Sequence, residues 1–203
     1  MSIVTVPELL ALQSIRLAGV ADEDAVLDRA LIGEGKLQAA IAAAVTRGWI
    51  EHLEFADFGG WTITEDGRAR VADLLAEELE AAGAGPVATA ALAEFEVVNA
   101  DFVARVGRWQ LMDQGSAPDL GDFLGELARL GSGMRRSIGD LIAALPRFGR
   151  YPVQYDAAVE RAGTEGLRWI TGVGLLAAHG VWAELHQDLL STLGRSRDAG
   201  VST

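Results

Sequence analysis

The sequence predicts a mainly α-helical chain that carries one β-hairpin in its N-terminal half. Apolar residues recur at three- and four-residue spacing along most of the chain, which is the helical pattern. Two short apolar segments around a glycine-containing turn interrupt that pattern between residues 49 and 63. The chain contains no cysteine, so its stability must come from packing rather than from disulfides or thiolate metal sites.

Three short helices are predicted before the hairpin. The first begins at Pro7 and stops near Gly19, and Asp22 caps the second. The third runs from about residue 34 to residue 47 and ends at Gly48, because glycine tolerates the left-handed conformation that closes a helix. Three short helices with tight connections are typical of a helix-turn-helix.

The hairpin and the helix after it extend this pattern. Strands are predicted at 49–53 and 60–63, on either side of the turn Asp57-Phe58-Gly59-Gly60. Thr64 then caps a long helix from Glu65 to about Ala82. Three helices, a hairpin wing and a further helix make up a winged helix-turn-helix, which we predict for residues 1–82.

The segment from Gly60 to Arg68, GWTITEDGR, carries a more specific signal. It resembles the passage from wing to helix in MarR and PadR-like regulators, where a Leu-Thr-x-x-Gly-Arg motif recurs. This resemblance implies a transcriptional regulator that places its third helix in the major groove of DNA. We also expect a homodimer, which would present two copies of that helix to half-sites.

A DNA reader of this shape uses long polar side chains on helix three for base edges and basic residues nearby for phosphates. The candidates are Lys36, Gln38, Thr46 and Arg47 for the helix, with Arg68 and Arg70 for phosphate contacts. Residues 1–80, however, hold six Lys or Arg against fifteen Asp or Glu. That charge repels DNA, so an acidic protein-interaction module that has lost DNA binding stays open as the alternative.

The C-terminal half is predicted to be an all-α domain over residues 83–194, followed by a disordered tail at 195–203. A break at 83–86 separates the two halves, and a second break at Gly131-Ser132-Gly133 is expected to interrupt a helical stretch at 119–144. We expect this domain to dimerise and to hold a small apolar ligand.

One helical stripe near the C-terminus brings together aromatic and histidine side chains, with Glu184 and Asp188 nearby. His179 and His186 are two turns apart, ~10 Å, which is too far for joint metal chelation. The candidate ligand pocket comprises Trp109, Trp169, His179, Trp182 and His186. Core packing is the other interpretation of the same residues.

A second resemblance covers about residues 35–195. The segments FEVVN at 95–99, WQ at 109–110, RFGRY at 147–151, RW at 168–169 and VWAELHQDLLSTLG at 181–194 resemble the helical region of actinobacterial pyruvate phosphate dikinase-like proteins, which use phosphoenolpyruvate. Ala178 and Ala183 stand where that family usually has Tyr and Phe. Neither its ATP-grasp segment nor its phosphohistidine loop is present, so the resemblance implies shared architecture without phosphotransfer.

No catalytic motif is recognisable: the sequence lacks Gly-x-Ser-x-Gly, His-Glu-x-x-His, a P-loop and a dinucleotide fingerprint. We therefore expect no enzyme activity, no cofactor and no metal. No apolar run approaches the ~20 residues needed to cross a bilayer, and the start lacks the basic region of a signal peptide. A cytoplasmic protein without membrane contact is expected.

Overall fold

The computed structural model describes residues 3–55, 58–111 and 120–195. Within these ranges the chain forms ten α-helices, one short 3-10 helix and a two-stranded antiparallel sheet, so the mainly helical prediction is confirmed. The predicted turn residue Asp57, the stretch 112–119 and the predicted tail from residue 196 lie outside the described residues.

The chain divides into two compact units. Unit 1 consists of Met1–Gly85 together with Ala144–Arg147 and Leu190–Thr203, and unit 2 of Pro86–Ala143 and Phe148–Leu189. Unit 1 therefore takes in two short segments far along the chain, which no pattern in the sequence indicated. None of the helices in the described ranges is long and apolar enough to span a membrane.

Unit 1 begins with three helices, a hairpin and a fourth helix. These are α1 (Pro7–Ala18), α2 (Glu23–Ala30), α3 (Glu34–Thr46), β1 (Ile50–Phe55), β2 (Phe58–Ile63) and α4 (Glu65–Ala82). Asp22 and Thr64 cap α2 and α4 as predicted, since their side chains accept hydrogen bonds from the amides of Ala25 and Gly67 at 2.8 and 3.1 Å. Gly48 has a φ of +69°, as its predicted role requires.

The strands pair in antiparallel register, with Ile50 opposite Ile63. The hairpin is held to the helices by Ala21, whose amide and carbonyl exchange two hydrogen bonds with Trp61, at 3.1 and 2.8 Å. The core of unit 1 lies between the helices and the inner side of the hairpin. Its large members are Leu9, Leu12, Ile15, Val26, Leu37, Ile41, Ile50, Ile63, Val71, Leu74 and Leu75.

Two glycines of the GWTITEDGR segment are required by packing. A Cβ on Gly60 would lie 2.7 Å from the Ala21 carbonyl carbon, and a Cβ on Gly67 would collide with the backbone oxygen of Trp49. The glycines thus allow the hairpin to approach the chain at Ala21 and α4 to approach the start of β1.

The C-terminal half contains the remaining helices. They are α5 (Gly85–Leu111), α6 (Leu120–Ser137), α7 (Gly139–Ala144), a 3-10 helix (Pro146–Gly149), α8 (Arg150–Glu165), α9 (Arg168–Thr171) and α10 (Ala178–Thr192). The interruption expected at Gly131-Ser132-Gly133 is wrong, because α6 continues through it. A Cβ on Gly131 would lie 2.7 Å from the Tyr155 ring, so this glycine permits close packing of α6 on α8 instead of breaking a helix.

Replacing Gly67 by alanine should destabilise the protein despite alanine's higher helix propensity. The clash with the Trp49 carbonyl is with backbone, which cannot rotate away, and we expect a loss of about 1–3 kcal/mol in the free energy of unfolding. Gly35→Ala is the matched control, because that exposed α3 glycine has nothing within 4 Å of an added Cβ. Urea unfolding measures both variants, and equal stabilities would contradict the packing role of Gly67.

Candidate functional site

After Lys36, the solvent-facing side of α3 carries no charged residue. We define the α3 outer face as Gly35, Gln38, Ala39, Ala42, Val45 and Thr46, all of which are exposed. The opposite side of the helix is buried through Leu37, Ile41 and Ala44. At the centre of the outer face, Gly35, Ala39, Ala42 and Thr46 follow one another at three- and four-residue spacing, and none has a long side chain.

The polar groups on this face already have partners within the chain. The Gln38 amide nitrogen donates to the Glu34 carboxylate at 3.3 Å, and the Thr46 hydroxyl donates to the Ala42 carbonyl at 2.9 Å. Five of the six predicted DNA-contacting residues are exposed, and the sixth, Arg70, is partly buried. Of the five, Lys36 and Arg68 are cations that are accessible to an external phosphate.

Arg47 and Arg70 converge on one carboxylate. Arg70 lies 2.8 Å and Arg47 3.8 Å from the Glu8 side chain, and Arg70 lies 3.5 Å from Glu77 as well. Both guanidinium groups also lie over the Trp49 ring, 4.9 Å away for Arg47 and 5.5 Å for Arg70. These contacts offset much of the positive charge that the two residues would otherwise offer to DNA.

The hairpin adds negative charge at its surface. Glu51 and Glu54 on β1 are exposed, and Nδ1 of His52 lies 3.8 Å from the Glu54 carboxylate. The His52 ring meets the edge of Trp61 at a centroid distance of 5.0 Å. His52 thus belongs to the hairpin surface.

In unit 2, Trp182 is the centre of an aromatic cluster. Its ring stacks on Phe102 at 4.1 Å with an interplanar angle of 5°, and Phe95 and Tyr155 lie 5.1 and 5.4 Å away. Its indole nitrogen donates to the Asn99 side chain at 2.9 Å, and the residue is 1% exposed. Trp182 therefore fills unit 2's interior and satisfies its one polar group there.

The two histidines of the predicted pocket lie at the margins of this cluster. His179 is exposed and stacks on Phe102 at 6.1 Å. His186 lies 5.9 Å from Phe95, with Nε2 3.9 Å from the Glu96 carboxylate. The structure thus brings His179, Trp182 and His186 together through two α5 phenylalanines.

The other two predicted pocket tryptophans have their own partners. Trp109 stacks on Phe123 at 4.1 Å. Trp169 donates to the Glu165 carboxylate at 2.9 Å and is covered by the guanidinium of Arg161 at 4.1 Å. Each contact joins neighbouring segments of unit 2, and whether a ligand binds among these residues stays a prediction.

A buried polar network lies between α8 and α10, and the sequence reasoning missed it. Arg150 donates to Tyr151 at 2.7 Å, to Glu184 at 3.1 Å and to Gln154 at 3.2 Å, and the Tyr151 hydroxyl donates to Asp188 at 2.6 Å. All five residues are at most 9% exposed. Glu184 and Asp188, one helical turn apart, were the available signal: Glu184 accepts a hydrogen bond from Arg150, and Asp188 accepts one from Tyr151.

Burial controls ionisation in this network. Burial alone would lower the pKa of Arg150, but Tyr151, Glu184 and Asp188 together raise it above its usual range. Burial raises the pKa of Tyr151 well above its usual value, and the Arg150 charge opposes part of that rise. Burial also raises the pKa of Tyr155. Both tyrosines therefore remain neutral donors at physiological pH.

Unit 1 has a second buried ion pair. Arg147 lies 2.7 Å from the Glu78 carboxylate and donates to the Thr192 hydroxyl at 2.7 Å, and Thr5 donates to the same carboxylate at 2.5 Å. This pair fastens the segments from 144 and 190 onward to α4. A groove of about 400 Å³ lies beside it. Its lining combines apolar residues, among them Val4, Val6, Leu9, Leu74 and Ala81, with the charged residues Glu8, Arg70, Glu77 and Glu78.

In the described part of the chain, no group of three or more His, Asp or Glu side chains is arranged to hold a metal ion. Comparison with protein-family models, with curated proteins and with solved structures found no match for this chain.

Breaking the buried pair in unit 2 should cost far more stability than breaking an exposed one. Glu184→Gln leaves the Arg150 charge buried with one counter-ion fewer, and we expect a loss of about 3 kcal/mol. Asp156→Asn removes the partner of Arg135 in a half-exposed pair and should change stability by less than about 1 kcal/mol. Equal shifts in urea unfolding would contradict the structural role of the network.

Stability should fall in alkali because of the two tyrosines. Their pKa is raised above 10.0 in the folded protein, so the unfolded chain loses these protons first and stability declines as the pH rises above that value. The sequence has no cysteine and a single lysine, Lys36, so few other groups titrate there. Tyr151→Phe should reduce the decline by about 1.4 kcal/mol per pH unit, and the double variant with Tyr155→Phe should reduce it further. A slope unchanged by both substitutions would contradict this assignment.

Proposed function

We propose that residues 1–82 form a winged helix-turn-helix module that binds a protein partner through the α3 outer face. The order of three helices, a hairpin and a helix supports the winged architecture. The observation that carries the function is the chemistry of the outer face, whose centre is Gly35, Ala39, Ala42 and Thr46.

Short uncharged side chains suit a protein surface better than a DNA groove. Direct reading of bases needs bidentate donors or acceptors such as Arg, Asn or Gln, and the one such side chain on this face, Gln38, is bonded to Glu34. Small residues instead allow another polypeptide to pack closely on the helix. Val45 and Leu31 supply larger apolar surface, with 45% and 61% of each residue exposed.

Leu31 is a further indication of a binding role. It is the one non-glycine residue with positive φ in the described ranges, at +50°, and it lies two residues before the N-cap of α3. A left-handed leucine costs of order 1 kcal/mol or more. Its amide donates to the Leu27 carbonyl at 3.1 Å and so ends α2, and contact of its exposed side chain with a partner would offset the remaining cost.

Charge favours a partner with a basic surface. Acidic residues outnumber basic ones by nine in residues 1–80, and Glu8 offsets Arg47 and Arg70. The resulting negative electrostatic field slows the approach of nucleic acid and attracts positively charged proteins. The exposed Glu51 and Glu54 extend it onto the hairpin.

Ala42→Arg tests the proposal, with Ala72→Arg as the matched control on the exposed side of α4. Proteins recovered with the full chain from its native lysate should be lost with Ala42→Arg and retained with Ala72→Arg, since the new guanidinium blocks close packing only on α3.

Lys36 gives an independent readout because it is the sole lysine and lies at the edge of this face. Amine-reactive labelling of Lys36 should be reduced in lysate for the native chain and Ala72→Arg, but not for Ala42→Arg. Equal recovery and labelling for both variants would refute the proposal.

The second candidate is a DNA-binding transcriptional regulator, which the exposure of Lys36 and Arg68 favours. This function requires specific binding to an operator. Lys36→Ala or Arg68→Ala should each make the fall of log affinity with log salt concentration less steep, by about 0.9 in slope. A specific footprint that Lys36→Ala weakens would establish this function over partner binding. Binding no stronger than to random DNA would exclude it.

A further inference from the structure

Helix α5 exposes a continuous apolar stripe to solvent. We define the α5 seam as Ala90, Ala93, Val97, Ala100 and Ala104, which recur at alternating three- and four-residue spacing and are all exposed. Val97 is 72% exposed, and Val103 beside the seam is 57% exposed. Val97 in the seam and Val103 beside it thus place two branched apolar side chains in water near the middle of a helix of 27 residues.

The seam is separate from the side of α5 that belongs to the core. Leu92, Phe95, Phe102 and Val106 are at most 3% exposed and form the buried side of the helix within unit 2. A helix needs one apolar stripe to pack on its own domain, and α5 has two. A seven-residue repeat of the second stripe over this length is the pattern by which helices pair.

Charged residues flank the seam in an ordered way. Glu94, Asp101 and Arg108 are seven residues apart along one edge, and all three are exposed. The other edge carries Glu96 and Val103. Flanking charges of this kind set the partner and the orientation of paired helices.

A second copy of this chain complements these edges in one orientation. In a parallel pair, Glu96 would face the partner's Asp101 on both sides, and these like charges repel. In an antiparallel pair, Glu94 faces the partner's Arg108 twice, while Val103 meets its own counterpart near the two-fold axis. Asp101 then approaches the partner's Asp101. This one repulsive contact is set against the two attractive Glu94–Arg108 pairs.

We propose that the protein forms a homodimer through the α5 seam, with the two α5 helices antiparallel and the two-fold axis near Asp101. The small seam residues let the helices approach closely. A single helix pair buries less surface than a standard interface, so the dimer is concentration-dependent. This proposal concerns unit 2 alone and does not depend on what α3 binds.

Sedimentation of the full chain over a wide concentration range is the first test. The native chain should shift from monomer to dimer, and Val97→Arg should remain monomeric at every concentration. Val153→Arg is the control, because Val153 is 65% exposed on α8, and it should dimerise like the native chain. The proposal is overturned if the native chain stays monomeric, even if another protein is found to cover the seam. It is also overturned if Val97→Arg leaves the dimer unaffected.

Charge reversal tests the orientation. Glu94→Arg and Arg108→Glu should each weaken the dimer, and the double variant should restore it, because only the antiparallel pair places these residues opposite each other. Raised salt should diminish all three effects. Additive weakening in the double variant overturns the antiparallel arrangement.

Cysteine cross-linking provides an independent measure of orientation, since the native chain has no cysteine. Ala100→Cys lies close to the proposed axis and should form a disulfide-linked dimer on oxidation. Ala90→Cys should not, because at about 1.5 Å per residue the two sulfur positions would be about 33 Å apart in the antiparallel pair. Efficient cross-linking at residue 90 would show a parallel pair and overturn the proposal.

Discussion

The burial of Arg150 is the constraint on which unit 2 depends. A guanidinium group stays charged, so it can be buried only where counter-charges and acceptors surround it. Glu184 supplies the charge, Gln154 and Tyr151 accept hydrogen bonds, and Asp188 accepts the proton of Tyr151. These contacts fix α8 against α10 at two successive turns. Trp182, six residues before Asp188 and on a different side of α10, can then meet Phe102 and Phe95 of α5.

Unit 1 uses the same device on a smaller scale. The carboxylate of Glu78 binds Arg147 and Thr5, so two segments distant in sequence are joined to α4. Around that point the fold relies on close backbone approach, at Gly60 beside Ala21 and at Gly67 beside Trp49. The hairpin and α4 are thereby held in place, and the inner side of α3 is buried while its outer face is left to solvent.

The two units expose different kinds of surface, and this difference separates the two proposals. The α3 outer face is uncharged and belongs to a segment, residues 1–80, in which acidic residues outnumber basic ones by nine, which suits a partner of opposite charge. The α5 seam has a regular repeat with acidic residues toward one end and Arg108 toward the other, which suits a second copy of itself. The two surfaces share no residue, so the two proposals can be tested independently.

The sequence by itself determined the helices, the hairpin and their caps, because these depend on local chemistry. Asp22, Thr64 and Gly48 act within a few residues of their positions, and their roles follow from side-chain type and backbone freedom. It also determined which residues were candidates for DNA contact and for the aromatic cluster. Only the tertiary structure decided what they do: Glu8 is 39 residues from Arg47 and 62 from Arg70 along the chain, yet it binds both. Local sequence also could not assign Gly131, which resembles a helix breaker until the fold places Tyr155 beside it. Nor could it assign Glu184, whose partner Arg150 is 34 residues away along the chain. Local patterns specify elements, whereas the pairing of distant charges and the fit of distant surfaces exist only once the chain has folded.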